Sequence, residues 1–355
     1  MEIKDLSIDI IIPVYNCRNF IDRCLKSILD QKCQEKLRII LVDDGSTDGS
    51  SKIVDNYADN FQNIIAIHKK NGGLSSARNA GMNRIKGDYF TFIDPDDWVE
   101  KSYFDKAIRQ LKKNHVDILM VPYIRYYDNA KIKHFVFGNK IVYFDKGQSR
   151  SIVLKRLYGL ADNELSNPLT VDNLSPVWSK FYKTERFSKI RFTDKTEIYS
   201  EDLWFNIKCF IIADSSEFFN RTFYYYFKGN KSSIVHTFDK NMLKEYKNLY
   251  QRMLGIIDSN ELDQTFRNNL RNRIILNELS ILRNVTSARE SFSFKKRKIK
   301  EIIYDPIFNL SFKNFNFKKL PISYRCFYLA CKYHISFLIY IILILGEKYK
   351  EKINQ

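Results

Sequence analysis

The chain has 355 residues, with 58 Lys or Arg against 41 Asp or Glu and a net charge of +17. Apolar residues make up 45% and aromatic ones 15%, which excludes disorder as the dominant state and fits a domain with a substantial appendage. Six cysteines (Cys17, Cys24, Cys33, Cys209, Cys326 and Cys331) show no Cys-x-x-Cys spacing, so neither a disulfide scaffold nor a thiolate zinc site is expected.

The first hundred residues alternate between strand and helix patterns. Ile8–Val14 is a continuous β-branched run, the pattern of a parallel strand buried on both faces. Phe20, Ile21, Cys24, Leu25 and Ile28 recur at helical spacing. A second buried strand, Leu37–Val42, breaks at Asp43-Asp44-Gly45-Ser46, and a helix from about Ser50 to Tyr57 leads to a third strand at Ile64–Ile67. Asn71-Gly72-Gly73 then precedes a helix turning Ala77, Ala80 and Ile85 inward, and Tyr89–Ile93 is a strand that ends at Asp94-Pro95-Asp96-Asp97. Repeated β–α–β units predict an α/β fold, a mostly parallel sheet with helices on both faces. Further on, Phe104, Ala107, Ile108 and Leu111 predict a helix, Asp117–Tyr123 a strand, and Phe135–Phe144 its hairpin partner. Helical character is predicted around Val177–Phe187, around Glu201–Ile212 and throughout the chain after about Asp239.

Open α/β sheets bind ligands beyond the carboxyl ends of their strands. Three such ends carry polar groups here: Tyr15-Asn16, Asp43-Asp44 and Asp94 to Asp97. Clustered carboxylates on a tight turn repel one another unless solvent or a hard cation intervenes, and Mg²⁺ or Mn²⁺ is bound by one or two carboxylates plus substrate phosphates. The alternative is an acidic turn that caps a helix beginning at Trp98. Asp43 to Asp48 can likewise end a strand and cap a helix, or offer a carboxylate to a base or ribose. Lys69, Lys70, Asn71 and Arg78 supply the positive charge and donors that a diphosphate needs. The chain has neither Gly-x-Gly-x-x-Gly nor a P-loop, which argues against hydride transfer and P-loop ATP hydrolysis.

Four stretches occur in order: IIIPVYN (10–16), ILVDDGSTDGS (40–50), NGGLSSARNAG (71–81) and GDYFTFIDPDDW (87–98). Together they resemble the nucleotide-sugar-binding half of glycosyltransferase family 2, inverting enzymes of the GT-A fold. The resemblance implies that Pro13 and Tyr15 wall the base, Asp44 contacts uracil, and Asn71 and Arg78 lie at the nucleotide, Arg78 alternatively serving the fold. It also implies that Asp94 faces the ribose or phosphate and that Asp96 holds Mn²⁺ or Mg²⁺. Downstream, Tyr199-Ser200-Glu201-Asp202-Leu203-Trp204-Phe205 resembles the family's ED motif, which makes Asp202 the expected catalytic base and Glu201 its neighbour and second choice. An acidic first turn favoured by the helix dipole is the structural alternative. Trp178, in a segment resembling the one often found before that motif, either stacks on an acceptor sugar or anchors the core. His236 either binds metal or phosphate or is structural.

The implied domains are 1–100, a nucleotide-sugar-binding half; 101–238, an acceptor-binding half; and 239–355, a basic helical region. From Lys240 onward there are 22 Lys or Arg and 10 Asp or Glu, so +12 of the +17 lies in the last third. Lys295 to Lys298 and Lys318-Lys319 flank a Phe-rich stretch, and Ile335–Leu345 is almost wholly apolar. That segment is shorter than the ~20 residues a bilayer span requires. It reads either as a buried helix or as an interfacial helix beside anionic lipid. Nucleic acid is not an expected partner, since no zinc finger or RNP motif accompanies the charge. The N-terminal sequence shows no cleavable signal pattern, so the expected location is the cytoplasm, with peripheral contact at the inner membrane face. The expected function is transfer of a hexose or N-acetylhexosamine from a UDP-sugar to a hydroxyl of a glycan acceptor, lipid-linked as in many family members, in cell-surface polysaccharide synthesis. Its rivals are a non-catalytic scaffold that keeps the fold and a repeat-adding synthase.

Overall fold

A computed structural model describes residues 6–127, 130–230 and 238–353, with side chains described as far as 347. The chain forms two compact units. The first comprises Met1–Leu154, Asn173–Lys195 and Ser200–Lys231; the second comprises Lys155–Asp172, Thr196–Tyr199 and Ser232–Gln355.

The first unit is built on an eight-stranded sheet. Its β1 (Ile8–Val14) pairs in parallel with β2 (Leu37–Asp43) on one side and β4 (Tyr89–Phe92) on the other, and β3 (Ile64–His68) extends the parallel run beyond β2. All seven residues of β1 are buried, which is why the strand carries no polar alternation. Alternate side chains point to opposite faces. Ile8, Ile10, Ile12 and Val14 join one core with α1 (Ile21–Leu29) and α2 (Ser50–Asn60), whereas Ile11 meets α3 (Leu74–Met82) on the other face. Helices therefore cover both faces, as expected. At Gly81 of α3 a Cβ would lie 2.5 Å from the Ile11 side chain, so the helix approaches the strand as closely as only glycine allows.

Two short strands, β5 (Trp98–Val99) and β6 (Ile118–Met120), flank α4 (Tyr103–Asn114). The predicted strand over 117–123 is split: β6 stays in the large sheet, while β7 (Tyr123–Tyr127) begins after Val121-Pro122 and enters a second, four-stranded sheet. The hairpin partner of β7 is β8 (Ala130–His134), not residues 135–144. Instead, β9 (Val142–Phe144) pairs antiparallel with β11 (Ser216–Phe218). The helix expected around 177–187 is confined to one turn, Thr184–Phe187, and is preceded by a strand, β10 (Lys180–Lys183), inserted antiparallel between β4 and β6. Tyr182 stacks on Phe90 at 5.3 Å, so cross-strand packing outweighs the local apolar spacing. Helix α5 (Glu201–Phe210) and strand β12 (Tyr224–Phe227) complete the unit, giving the orders β3-β2-β1-β4-β10-β6-β11-β9 and β5-β12-β7-β8.

The second unit is helical, with α6 (Met242–Ser259), α7 (Gln264–Ser287), α8 (Phe292–Ile303), α9 (Ile322–Lys332) and α10 (Ser336–Ile353). Long α7 buries Asn269, Asn272 and Asn277, which donate to Gly159 O, Leu160 O and the Tyr250 hydroxyl. Such pairing removes the cost of burying amides. Phe312, Phe315 and Phe317 pack on one another, and Phe315 packs on Tyr328, so the Phe-rich stretch helps form this unit's core.

Candidate active site

The parallel register of β1, β2 and β4 brings three polar strand ends to one edge of the large sheet. Pro13 is buried within β1, and Tyr15 just beyond it is 49% exposed. Asn16, at φ 47°, donates its backbone N–H to Ser46 Oγ and accepts from Thr47 N, so the first two strand ends are tied together.

The two aspartates that end β2 have different tasks. Asp43 accepts from Ser46 N at 3.0 Å and Ser51 Oγ at 2.7 Å and lies 3.0 Å from His68 Nδ1. Burial pushes its carboxyl up, and these hydrogen bonds more than compensate and hold it below its ordinary value. Asp44 accepts from Lys69 Nζ at 2.5 Å, Gly72 N at 3.0 Å and Gly73 N at 2.8 Å. It thereby shapes the loop that carries exposed Asn71 into α3. Gly45 sits against that loop at φ +77°, where a Cβ would lie 3.0 Å from Asn71 N.

One turn into α3, the Arg78 guanidinium joins the two acidic motifs. It lies 3.1 Å from Asp94 Oδ1 and 3.6 Å from Glu201 Oε1, and it donates to Asp202 Oδ1. With 1% of its side chain exposed, Arg78 meets the crevice through these carboxylates rather than directly. Burial alone would lower the guanidinium's proton affinity, but Asp202, Asp94 and Glu201 together raise it. Burial, Asp96 and Asp202 push Asp94 up to about 6 against the pull of Arg78. Glu201 is pushed up to about 7 by burial and by the adjacent Asp202 charge. A single cation thus holds three carboxylates, two of which bind protons more tightly than usual.

At the end of β4, Asp96 Oδ2 accepts from Asn230 Nδ2 at 2.8 Å, and Asp96 O accepts from Arg23. The Arg23 guanidinium lies 4.0 Å above the Trp98 ring. No helix starts at Trp98, which opens β5. Buried Asp97 instead accepts from the Tyr224 hydroxyl at 2.6 Å and Phe227 N at 2.8 Å, pinning the acidic turn to β12. Burial and the charges of Asp96 and Asp94 raise Asp97 well above a normal carboxyl. With Asp97 committed to β12, Asp94 and Asp96 are the carboxylates of this turn that are only half-buried. Among the described residues no group of three or more His, Cys, Asp or Glu is arranged to hold a metal unaided.

Trp178 is corrected by the structure. It is 4% exposed, stacked on Tyr224 at 4.6 Å and edge-on to Tyr123 at 5.0 Å, so no ring face is left for a sugar. It anchors the core. His236 lies outside the described residues. Sequence reasoning missed Lys180, Tyr182 and Asn206, all buried behind Asp202; the available signals were a Lys at the head of an aromatic strand and an Asn one turn after the acidic pair.

Residues 9–159 match the model of glycosyl transferase family 2. They form a family 2 glycosyltransferase domain. The whole chain is similar to the uncharacterized glycosyltransferase EpsJ of Bacillus subtilis, 28% identical over 346 residues and 94% of each chain. It is also similar to glycosyltransferase GlyA of Streptococcus pneumoniae, 30% identical over 223 residues, which is 62% of this chain but 30% of that protein's length. Among solved structures, S. aureus TarS 1-349 in complex with UDP-GlcNAc aligns with a TM-score of 0.65 at 16% identity, covering 98% of this chain and 92% of TarS 1-349. That likeness shows the fold, the GT-A arrangement implied by the sequence motifs. A separate recess of about 410 Å³ on the outer side of α3 in the glycosyltransferase domain is lined by Lys69, Ser75, Asn79, Phe192 and Asp194 and by none of the acidic cluster.

Proposed function

We propose that the protein is an inverting glycosyltransferase that moves a sugar from a UDP-sugar to a hydroxyl of a glycan acceptor. The observation that carries this reading is the Arg78 hub, which holds Asp94, at the end of the donor-side strand β4, within one guanidinium's reach of Glu201 and Asp202 on α5. A leaving diphosphate and a base for the incoming hydroxyl need this adjacency.

Pro13 and Tyr15 wall the nucleobase, Asp44 and Asn71 shape its rim, and Asp94 faces the ribose or phosphate. Asp96 is the residue that would hold Mn²⁺ or Mg²⁺, and the chemistry such a cation would supply there is neutralisation of phosphate charge. Asp202 accepts the proton of the acceptor hydroxyl as its oxygen forms a bond to the sugar C1. The bond from C1 to the UDP oxygen breaks on the opposite face, and UDP carries away the electron pair. Glu201, on the same turn of α5 and also beside Arg78, is the second choice for base. The UDP-GlcNAc complex of TarS supports a UDP-sugar donor here. Arg78 serves as the link between the carboxylates and not as a direct nucleotide ligand.

On this reading the acceptor lies at a membrane surface. On α10, Ile339 and Leu343 are buried, while Phe337, Leu338, Ile341 and Leu345 form an exposed apolar stripe. Phe292 of basic α8 meets Tyr340 of α10 at 5.0 Å, which sets Lys295 to Lys298 on the neighbouring helix. An apolar face beside clustered Lys and Arg fits anionic lipid, the surface at which a lipid-linked glycan is presented on the cytoplasmic side. Among the described residues no helix is long and apolar enough to cross a membrane.

Release of UDP from a panel of UDP-sugars tests the reading. Turnover with at least one donor is expected; binding of UDP with no turnover in the presence of glycan acceptors would favour a scaffold that keeps the fold. Long products from a single acceptor would identify a repeat-adding synthase.

A further inference from the structure

We infer that Lys180 and Asn206 are positioning residues for the transfer reaction, clamping the turn 174–177 so that its last N–H fixes the Asp202 carboxylate; the inference rests on the reading of Asp202 as base.

Three successive backbone carbonyls of this turn are each held by a buried side chain. Lys180 Nζ donates to Leu174 O at 3.0 Å and to Pro176 O at 2.5 Å. Asn206 Nδ2 donates to Ser175 O at 2.7 Å and also to Asp202 O at 3.0 Å, one turn back on α5. The Tyr182 hydroxyl lies 3.3 Å from Val177 O and 2.9 Å from Asn206 Oδ1, closing the network. With its carbonyls held inward, the turn directs Val177 N at Asp202 Oδ2, 3.2 Å away. Arg78 occupies Oδ1 from the other side. Each carboxylate oxygen thus has one fixed donor, which sets the plane of the group while leaving lone pairs for a substrate proton.

Burying a lysine with only carbonyl partners is costly, and burial pulls the Lys180 ammonium down to about 7. What Lys180 provides is two convergent donors on carbonyls two residues apart, and no apolar residue supplies them. Asn206 does the same from α5, so the turn and the helix that carries the base are locked to one another.

The test uses the full chain labelled with ¹⁵N-valine, the Val177 amide being assigned by its disappearance in Val177→Ile. An N–H donated to a carboxylate resonates downfield, and Asp202→Ala gives the reference position without that acceptor. Lys180→Met and Asn206→Leu should move the Val177 signal towards that reference. They should lower the turnover number for UDP release about ten- to hundredfold with little change in KM, the split expected when a base is misplaced by a fraction of an ångström. Lys180→Arg, which keeps a multidentate donor, should recover part of both. Should Lys180→Met fail to fold, Asn206→Leu and Lys180→Arg carry the same readouts. A wild-type Val177 signal and wild-type turnover in a folded clamp variant would overturn the inference. Full turnover in Asp202→Asn would instead remove Asp202 as base, while the Val177 signal still reports whether the clamp exists.

Discussion

Arg78 is buried and saturated with carboxylates, so the residues around it divide into those a substitution would unbalance and those it would merely silence. Asp202→Asn keeps the shape and the contact with Val177 but cannot take a proton. It should leave UDP affinity nearly intact while transfer falls by ~10²–10⁴. Loss in Glu201→Gln with retention in Asp202→Asn would exchange the two roles. Asp96→Ala, and chelation of divalent cations in the wild type, should both abolish turnover and weaken UDP binding, because two phosphate charges then face the acidic turn without a counter-ion. Normal turnover in excess chelator would remove the metal from the reading. At this scale the acidic strand ends were legible, since Asp43-Asp44 and Asp94 to Asp97 stand out against buried strands. The division of labour within each pair was not. Adjacent aspartates look alike in sequence, and only the register of β12 shows that Asp97 is committed to Tyr224 while Asp96 stays at the surface.

Among elements, the parallel strands β1 to β4 and helices α1 to α4 were readable because each has the period or the continuous apolar run that its burial requires. Strand β10 was misread, since Phe181 and Tyr182 are both buried and a strand buried on both faces has no alternation to show. For α10 the apolar run Ile335–Leu345 was legible, but not which of its side chains point outward. The exposed stripe gives a sharper experiment than truncation, which would remove Tyr328 and Phe315 contacts from the core of the second unit. Ile341→Glu combined with Leu345→Glu should lower association with anionic vesicles at least about tenfold, as expected when two apolar side chains worth ~1.5–3 kcal/mol each can no longer enter lipid. UDP binding should be unchanged. Added salt should weaken the wild type's attachment, since the Debye length falls to ~3 Å at 1 M. Equal attachment to neutral and anionic vesicles would eliminate the electrostatic part.

Across the whole molecule, stability should depend on pH through Glu278. Neither of its carboxyl oxygens has an ordinary hydrogen bond among the described residues, and the Cys331 thiol is the weak partner that favours its charged form. Burial pushes this carboxyl up to about 8, from an unfolded value near 4.5. A folded value raised above the unfolded one means that the folded state binds the proton more tightly between those limits. Stability is then greatest below about 4.5 on this account and is lost as pH rises through about 8, on the order of a few kcal/mol. Thermal melting from pH 6 to pH 9 should show a fall in Tm that is largely absent in Glu278→Gln. A wild type and variant with parallel profiles would contradict it. Nothing in the sequence marked this residue, since a single Glu on a polar-looking helix is ordinarily solvated and α7 gives no apolar stripe to place it.

The path of the chain adds a constraint of a different kind. It leaves the first unit at Lys155, returns at Asn173, leaves again for Thr196–Tyr199, and re-enters at Ser200, one residue before Glu201. Ribosomal synthesis therefore cannot deliver a finished donor-binding unit before the chain has passed the ED motif, and no single cut separates the units into two continuous halves. Recombination between relatives at a crossover point between Asp97 and Glu201 would pair the acidic helix of one parent with the strand ends of another. Lineages carrying this arrangement should exchange donor or acceptor preference by accumulating substitutions in place, and shuffling of intact modules should be rare among them.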